Sequence, residues 1–328
     1  MGIKIRNSSV ITGSKKVSND FYINHFDAQG KDIRGLLKSI GRQDRFIVGN
    51  LNETTLTLAS RAVDKVLLDS NLTGADIDII IVSSQFPEYT VPAQSTLIHN
   101  HIKGKSEAMV LDINTNCLGM LNGLDIVHRL LSAKGAYNRA ILVGSDVMSR
   151  NCKKDDEYTY PVFGDSACAL LIEKTASEEI GVIGTSYRTE SQEANMCLYP
   201  ECGFGEIDKY LGASTKLSWV SPTTGGMPIS ARSALDDILR TNNINIKDID
   251  WLCGSQFTIK MLKSSAELCE VTMDKVIYIG DKYGYTGTSS PFISFHEGRK
   301  QGKIKDGDLV LFWTVGVGYS VGAMLLRV

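Results

Sequence analysis

The chain has 328 residues, of which 43% are hydrophobic and 22% charged, with a formal net charge of −2. That composition excludes a disordered chain, and the near balance of charge gives no electrostatic reason to bind nucleic acid or an anionic membrane. The length exceeds the roughly 250–300 residues that a single core serves, so two fused cores are expected.

The opening residues, MGIKIRNSSVITGSKK, contain no apolar core of a signal peptide, and Arg6 stands where a myristoylation signal needs Ser or Thr. No run approaches the ~18 apolar residues of a membrane span. A cytoplasmic protein with no membrane or nucleic-acid partner is expected.

Further along, the chain repeats itself. Residues 59–86 (ASRAVDKVLLDSNLTGADIDIIIVSSQF) and 230–257 (SARSALDDILRTNNINIKDIDWLCGSQF) each combine an amphipathic run, a polar break, Asp-Ile-Asp, an apolar strand and Ser-Gln-Phe. Apolar positions three and four apart (Ala62, Val66, Leu67; Leu235, Ile238, Leu239) indicate helices. The continuous apolar strands indicate sheets covered on both faces. The strand 108–113, the turn 114–119, the helix near 120–133 and the strand 141–145 follow the first copy. The strand 276–280, the turn 281–287, the helix near 289–301 and the strand 309–315 follow the second. Right-handed crossovers and largely parallel sheets are expected from this alternation. Two matching α/β halves, 1–174 and 175–328, joined near 172–184, would set their loops 114–119, 255–257, 284–290 and 316–322 at a shared seam. Chance similarity of two ordinary βαβ units is the competing reading.

Seven cysteines (Cys117, Cys152, Cys168, Cys197, Cys202, Cys253, Cys269) form no CxxC pair and do not cluster with the five histidines. Free thiols are expected, with no disulfide framework and no metal site. Cys117 lies in DINTNCLGMLNGLDIVHRLL, where a strand gives way to a helix. The first amides of a helix lack internal partners and its dipole favours negative charge, so a thiol there is expected to ionise below its ordinary range. Its own amide can face a developing oxyanion. The competing reading is a small buried hydrophobe.

The segment DINTNCLGMLNGL resembles the nucleophile region of ketoacyl-acyl carrier protein synthase III. ILVGSDVMSRNC with FGDSACALLIE (163–173), GKIKDGDLVLFWTVGVGYSVGAMLLRV (302–328) and GRQDRFIV (41–48) resemble further segments of that family, in order along the chain. The resemblance implies an α/β thiolase fold, two duplicated α/β halves in a layered αβαβα arrangement. It implies a Cys117 acyl-enzyme formed from an acyl-carrier protein or acyl-coenzyme A thioester, with no cofactor and no metal. The oxyanion hole would be the amides of Cys117 and Val317, the latter in the glycine turn between Gly316 and Gly318. Those glycines precede an apolar strand and no helix, so they do not read as a dinucleotide fingerprint.

Two departures stand out. The family's catalytic histidine and asparagine align with Ser255 (WLCGSQFTIK) and Tyr285 (KYGYTGTSS). Each hydroxyl donates one hydrogen bond but holds its proton too tightly to act as a base near neutrality. Acylation should survive, while decarboxylative condensation should be impaired or altered. The coenzyme A-binding tryptophan is missing from 33–39, and Glu157 stands where an arginine is expected, whereas Lys260 matches a carrier-protein docking position with Lys263 one turn on. A carrier protein is therefore the expected partner and donor. The segment FPEYTVPAQ (86–94) resembles the family's dimer-crossing loop, with Val91 at its pocket end, which implies a homodimer. The alternatives are a half-catalytic or non-catalytic subunit of a ketosynthase heterodimer, and an ordinary initiation ketosynthase of fatty-acid synthesis.

Overall fold

The computed structural model of the chain describes residues 2–135, 137–177, 179–210, 212–220 and 227–328. In chain order, the elements up to residue 175 are β1 (Gly2–Thr12), β2 (Lys15–Ser18), α1 (Asn19–Asp27), α2 (Arg34–Ile40), β3 (Asp44–Ile47), α3 (Thr55–Leu68), β4 (Ile79–Ser83), α4 (Gln94–His101), β5 (Met109–Ile113), α5 (Gly119–Ser132), β6 (Arg139–Asp146) and β7 (Ser166–Thr175). Then follow β8 (Gly181–Thr189), β9 (Cys197–Leu198), β10 (Ser218–Trp219), α6 (Ala231–Asn242), β11 (Trp251–Gly254), α7 (Ile259–Leu268), α8 (Gly280–Tyr283), α9 (Ser290–Lys300), β12 (Leu309–Gly316) and β13 (Ser320–Arg327). The junction between the two series runs from β7 to β8, and residue 178 within it lies outside the described residues.

Two sheets carry the same plan. One has the order β1-β7-β6-β4-β5 and the other β8-β13-β12-β11, each element standing where its repeat partner stands. Side-chain alternation explains why both strand sets are apolar throughout. Ile79 and Ile81 point to a shared middle layer with Leu121 and Leu124 of α5, Phe292 and Phe295 of α9, and Val310 and Phe312 of the other sheet. Ile80 and Val82 point outward onto Leu58, Ala62 and Val66 of α3. On the far side, Leu252, Leu311 and Trp313 pack on Leu235 and Ile238 of α6 and Leu262 of α7. The result is five layers, α3 | sheet | α5 and α9 | sheet | α6 and α7. The Phe292 and Phe312 rings stack across the middle layer with centroids 4.7 Å apart.

Two expectations are corrected. The sheets are mixed, not largely parallel: β4–β5, β4–β6 and β11–β12 are parallel, whereas β1–β7, β6–β7, β12–β13 and β13–β8 are antiparallel. β12 returns into β13 through a tight turn, and β6 into β7 through the 147–165 loop, neither with a crossover helix. The expected strand 276–280 is reduced to a single bridge, Leu252 with Val276. Its later backbone groups go elsewhere: Ile279 N–H donates to Gln256 Oε1 (3.2 Å) and Gly280 carbonyl accepts from Arg42 (3.1 Å), after which α8 begins.

Arg42 is the unexpected keystone of this region. It is 3% exposed and donates to the carbonyls of Val162, Gly280, Gln256 and Phe257. Replacing it leaves four carbonyls short of a donor, each a desolvation cost. Arg42→Met is expected to lower the unfolding free energy by about 3 kcal/mol or more, measured by urea titration.

Among the described residues no helix is long and apolar enough to cross a membrane. All seven cysteines are free.

Candidate active site

The middle-layer helices α5 and α9 both begin at the seam, and Thr288 ties them together. Its hydroxyl accepts from Met120 N–H (2.8 Å) and shares a hydrogen bond with Ser83 (2.8 Å). Its amide donates to Asp146 (3.2 Å). Asp146, at the end of β6, also accepts from the Ser84 hydroxyl and from the Gln85 and Phe86 amides. Burial raises this carboxyl to about 6, against the lowering effect of its donors.

Cys117 follows Asn116, which holds φ 53°, a left-handed conformation that asparagine tolerates. One tight turn, Asn116–Leu118, then feeds α5 at Gly119. A Cβ at Gly119 would overlap Ser83 Oγ, so the close approach requires glycine here. The glycine turn arrives from β12. A Cβ on Gly316 would lie 4.0 Å from the Cys117 amide nitrogen and 2.6 Å from Leu118 Cδ1. Tyr319 N–H closes the turn onto the Gly316 carbonyl (3.1 Å).

A cavity of about 520 Å³ opens over the thiol. Its walls include Phe86, Met148, Phe163, Trp219, Phe257 and Met261, and its polar lining includes Gln85, Cys117, Cys197 and Tyr285. Lys260 and Ser264, both exposed, stand at its edge. Cys117 is 6% and Tyr285 3% exposed. The matched loops do meet here, because Cys117, Phe257, Tyr285, Gly316, Val317 and Tyr319 all line this one cavity.

The expectation of a thiol ionising below its ordinary range is overturned in this chain. Burial pushes the Cys117 thiol up, and Asp146 adds to the rise. Opposing it are the Tyr285 hydroxyl and the amides of Val317 and Cys117 itself, all directed at the sulfur. The helix terminus is present, but the closed hydrocarbon walls cost the thiolate more than those dipoles return. Cys197 is the second thiol on the lining. Burial, then the nearness of Cys117, pushes it up to about 12, and no donor opposes the rise. Of the two, Cys117 is the one equipped to become a thiolate.

Tyr285 is held by its backbone, whose amide donates to Val162 (3.0 Å) and whose carbonyl accepts from Gly164 (2.9 Å). Its ring packs edge-on to Phe257 with centroids 5.3 Å apart, and Phe257 lies 5.3 Å from Trp219. Its hydroxyl stands beside the Cys117 sulfur and the Ser255 hydroxyl. Neither hydroxyl completes a hydrogen bond of full geometry, and both oxygens are buried. Burial, then Cys117, pushes the Tyr285 phenol well above its ordinary range, so it remains a donor. Ser255 lies beyond the lining, with its amide donating to Trp313 carbonyl (3.0 Å).

Tyr285→Phe is expected to lower acylation of Cys117 at pH 7 about tenfold or more, since a hydrogen bond to a charged group contributes about 1.5–3 kcal/mol. Its loss raises the thiol further, so the deficit should narrow as pH rises and both proteins reach full thiolate. Thermal stability should change little, because in the thiol state the buried hydroxyl completes no hydrogen bond of full geometry. A pH–rate profile and a melting curve check both parts.

The remaining expected residues lie apart from the thiol. Lys263 is exposed and outside the lining, Gly318 holds φ 78° one residue past Val317, and Val91 is 85% exposed away from this chain's cavity. Glu157 pairs with Lys31 at 3.0 Å. Sequence reasoning misses Phe163, Trp219, Cys197, Asp146 and Arg42. Phe86 and Phe257 are visible as the third letters of the repeated Ser-Gln-Phe.

Residues 111–191 match the family model of 3-oxoacyl-[acyl-carrier-protein] synthase III, and residues 239–328 match the model of its C-terminal part. The beta-ketoacyl-[acyl-carrier-protein] synthase III of Histophilus somni strain 2336 is 27% identical over 288 residues, 88% of each chain. That of Rickettsia prowazekii is 26% identical over the full length of both. Among solved structures, the 3-oxoacyl-[acyl-carrier-protein] synthase III of Aquifex aeolicus superposes with a TM-score of 0.85 over 100% of both chains at 23% identity. A single-substitution variant of Xanthomonas campestris OleA gives 0.85 at 16% identity, over 100% of this chain and 99% of that one. The protein is an acyltransferase of the thiolase fold. The chain belongs to the 3-oxoacyl-[acyl-carrier-protein] synthase III family, whose members are acyl-transferring condensing enzymes.

Proposed function

We propose that this enzyme takes an acyl group from a carrier-protein thioester onto Cys117 and passes it to an acceptor, with decarboxylative condensation weakened by Ser255 and Tyr285. The observation that carries the reading is the Cys117 sulfur on the cavity lining, faced by the Tyr285 hydroxyl and by the amides of Cys117 and Val317. Those amides support an oxyanion at the thioester carbonyl. Two halves, 1–174 and 175–328, would each supply part of the site. Lys260 and Lys263 on α7 offer cationic docking for an acidic carrier, and Lys31, already paired with Glu157, is a poor partner for a nucleotide phosphate. A homodimer would bring Val91 of each protomer to its partner.

Mixing the protein with acyl-carrier protein and with acyl-coenzyme A in parallel is expected to add one acyl mass, faster from the carrier protein. Absence of any adduct from both donors would reject the reading. Ser255 and Tyr285, standing where the family's histidine and asparagine align, also favour a second role, as the supporting subunit of a heterodimer with an intact paralogue. Activity of the purified homodimer counts against that role. Robust carbon dioxide release from malonyl-carrier protein would instead mark an ordinary initiation ketosynthase.

A further inference from the structure

Behind the cavity wall, the parallel pair β11–β12 carries two hydroxyls toward the middle layer. Cys253 pairs with Phe312 and Gly254 with Trp313, and the ladder goes one step further, with Ser255 N–H donating to the Trp313 carbonyl (3.0 Å). Ser255 therefore stands beside Thr314. Alternation turns both side chains to the face of Cys253 and Phe312, which pack in the shared middle layer. Leu252, Leu311 and Trp313 take the opposite face. Neither Ser255 nor Thr314 lines the cavity. Thr314 is 0% exposed, and among the described residues its hydroxyl has no hydrogen-bond partner. The Ser255 oxygen is buried and equally without a bond of full geometry.

A buried hydroxyl left unpaired is costly, so nearly all such groups find a protein or water partner. Side chains on neighbouring strands start about 4.7–4.9 Å apart. That is beyond a direct hydrogen bond, and one water making two bonds of about 2.8 Å spans it. Past Ser255 stands the Tyr285 hydroxyl, and past that the Cys117 sulfur. The order is thus Thr314, Ser255, Tyr285, Cys117, and each of the first three can donate and accept at once. Burial raises both the Tyr285 phenol and the Cys117 thiol; against that rise, Ser255 lowers the first and Tyr285 lowers the second. Each group favours charge on the next, as donors in a chain do.

From this we propose that one water is held between Thr314 and Ser255, and that Thr314 is a positioning residue acting through it on Tyr285. Thr314 O–H donates to the water, the water to Ser255 Oγ, Ser255 O–H to Tyr285 Oη, and Tyr285 O–H to Cys117 Sγ. Held this way, Tyr285 keeps its hydrogen on the sulfur, because its oxygen is already accepting from Ser255. Ser255 aligns with a histidine in the family, and its shorter side chain leaves the reach to Thr314 to the water. The bearing of this chain on catalysis rests on the acyl-enzyme reading above.

The test is alkylation of Cys117 by iodoacetamide in the full chain, followed on the Cys117 peptide by mass spectrometry across a pH series, because alkylation reports the thiolate without an acyl donor. Thr314→Val is expected to slow alkylation at pH 7 about threefold to tenfold and to move the pH profile upward. Thr314→Ser, which keeps the hydroxyl, is expected to stay within about twofold of the unaltered chain. In a Tyr285→Phe background, Thr314→Val should cost less than about a further twofold, since the chain no longer reaches the sulfur. Melting curves establish that each variant is folded. A crystal structure is expected to show a water within hydrogen-bond distance of Thr314 Oγ1 and Ser255 Oγ, and none there in Thr314→Val. Unchanged alkylation in Thr314→Val, the same loss with and without the Tyr285 hydroxyl, or a Thr314 hydroxyl bonded to protein alone would overturn the assignment. Failure of Cys117 to take an acyl group would remove only the acyl-enzyme reading, since the alkylation result stands without it.

Discussion

Cys117→Ala is expected to abolish acyl transfer, with a fall of at least about 10⁴-fold and no acyl adduct by intact mass, because the covalent route has no second nucleophile. The other thiol on the cavity wall, Cys197, stays protonated at neutral pH, being pushed up to about 12 by burial and by Cys117. It lacks the directed donors that Cys117 draws from Tyr285, Val317 and its own amide. Stability should change little in this variant, since the side chain is small. A variant that still loads one acyl group would move the nucleophile elsewhere.

The second large effect concerns decarboxylation. Carbon dioxide release from malonyl-carrier protein by this chain is expected to be at least about 10²-fold slower than by a family member with histidine and asparagine in place, since each lost oxyanion donor costs about 10²–10³ in rate. Tyr285 retains a hydroxyl, but it is directed at the Cys117 sulfur and surrounded by Phe163, Phe257 and, behind Phe257, Trp219. Ser255 is not on the cavity lining. The two positions therefore do not present a pair of donors converging on a malonyl thioester. Parallel assays with radiolabelled malonyl-carrier protein give the ratio, and rates within tenfold of each other would show that other groups stabilise the enolate.

Much of the scaffold was legible because burial on two faces leaves a simple signature. The paired apolar runs, the amphipathic helices before them and the repeated Ser-Gln-Phe led to two matching α/β halves, whereas the layered αβαβα arrangement was implied by the family resemblance. What stayed hidden depends on contacts distant in sequence. The run 276–280 is as apolar as its counterpart β5, yet Gln256 and Arg42 take its later backbone groups and it does not continue as a ladder. Arg42 itself, read along the chain, is one more charged residue, and only the fold puts it against four carbonyls. The same limit explains the thiol. A helix terminus can be read from a turn and an amphipathic run, but the desolvation that reverses its effect on Cys117 comes from walls built by four separate loops. Trp219 and Cys197 come from a segment with no period to read, where two-residue strands hold them over the site.

The most direct measurement is a crystal structure of the chain after treatment with octanoyl-pantetheine. Continuous density from Cys117 Sγ is expected, with the thioester oxygen within hydrogen-bond distance of the Cys117 and Val317 amides and the chain lying along Phe86 and Phe257. An adduct on Cys197 or Lys260, or a thioester oxygen turned away from both amides, would contradict the proposed site.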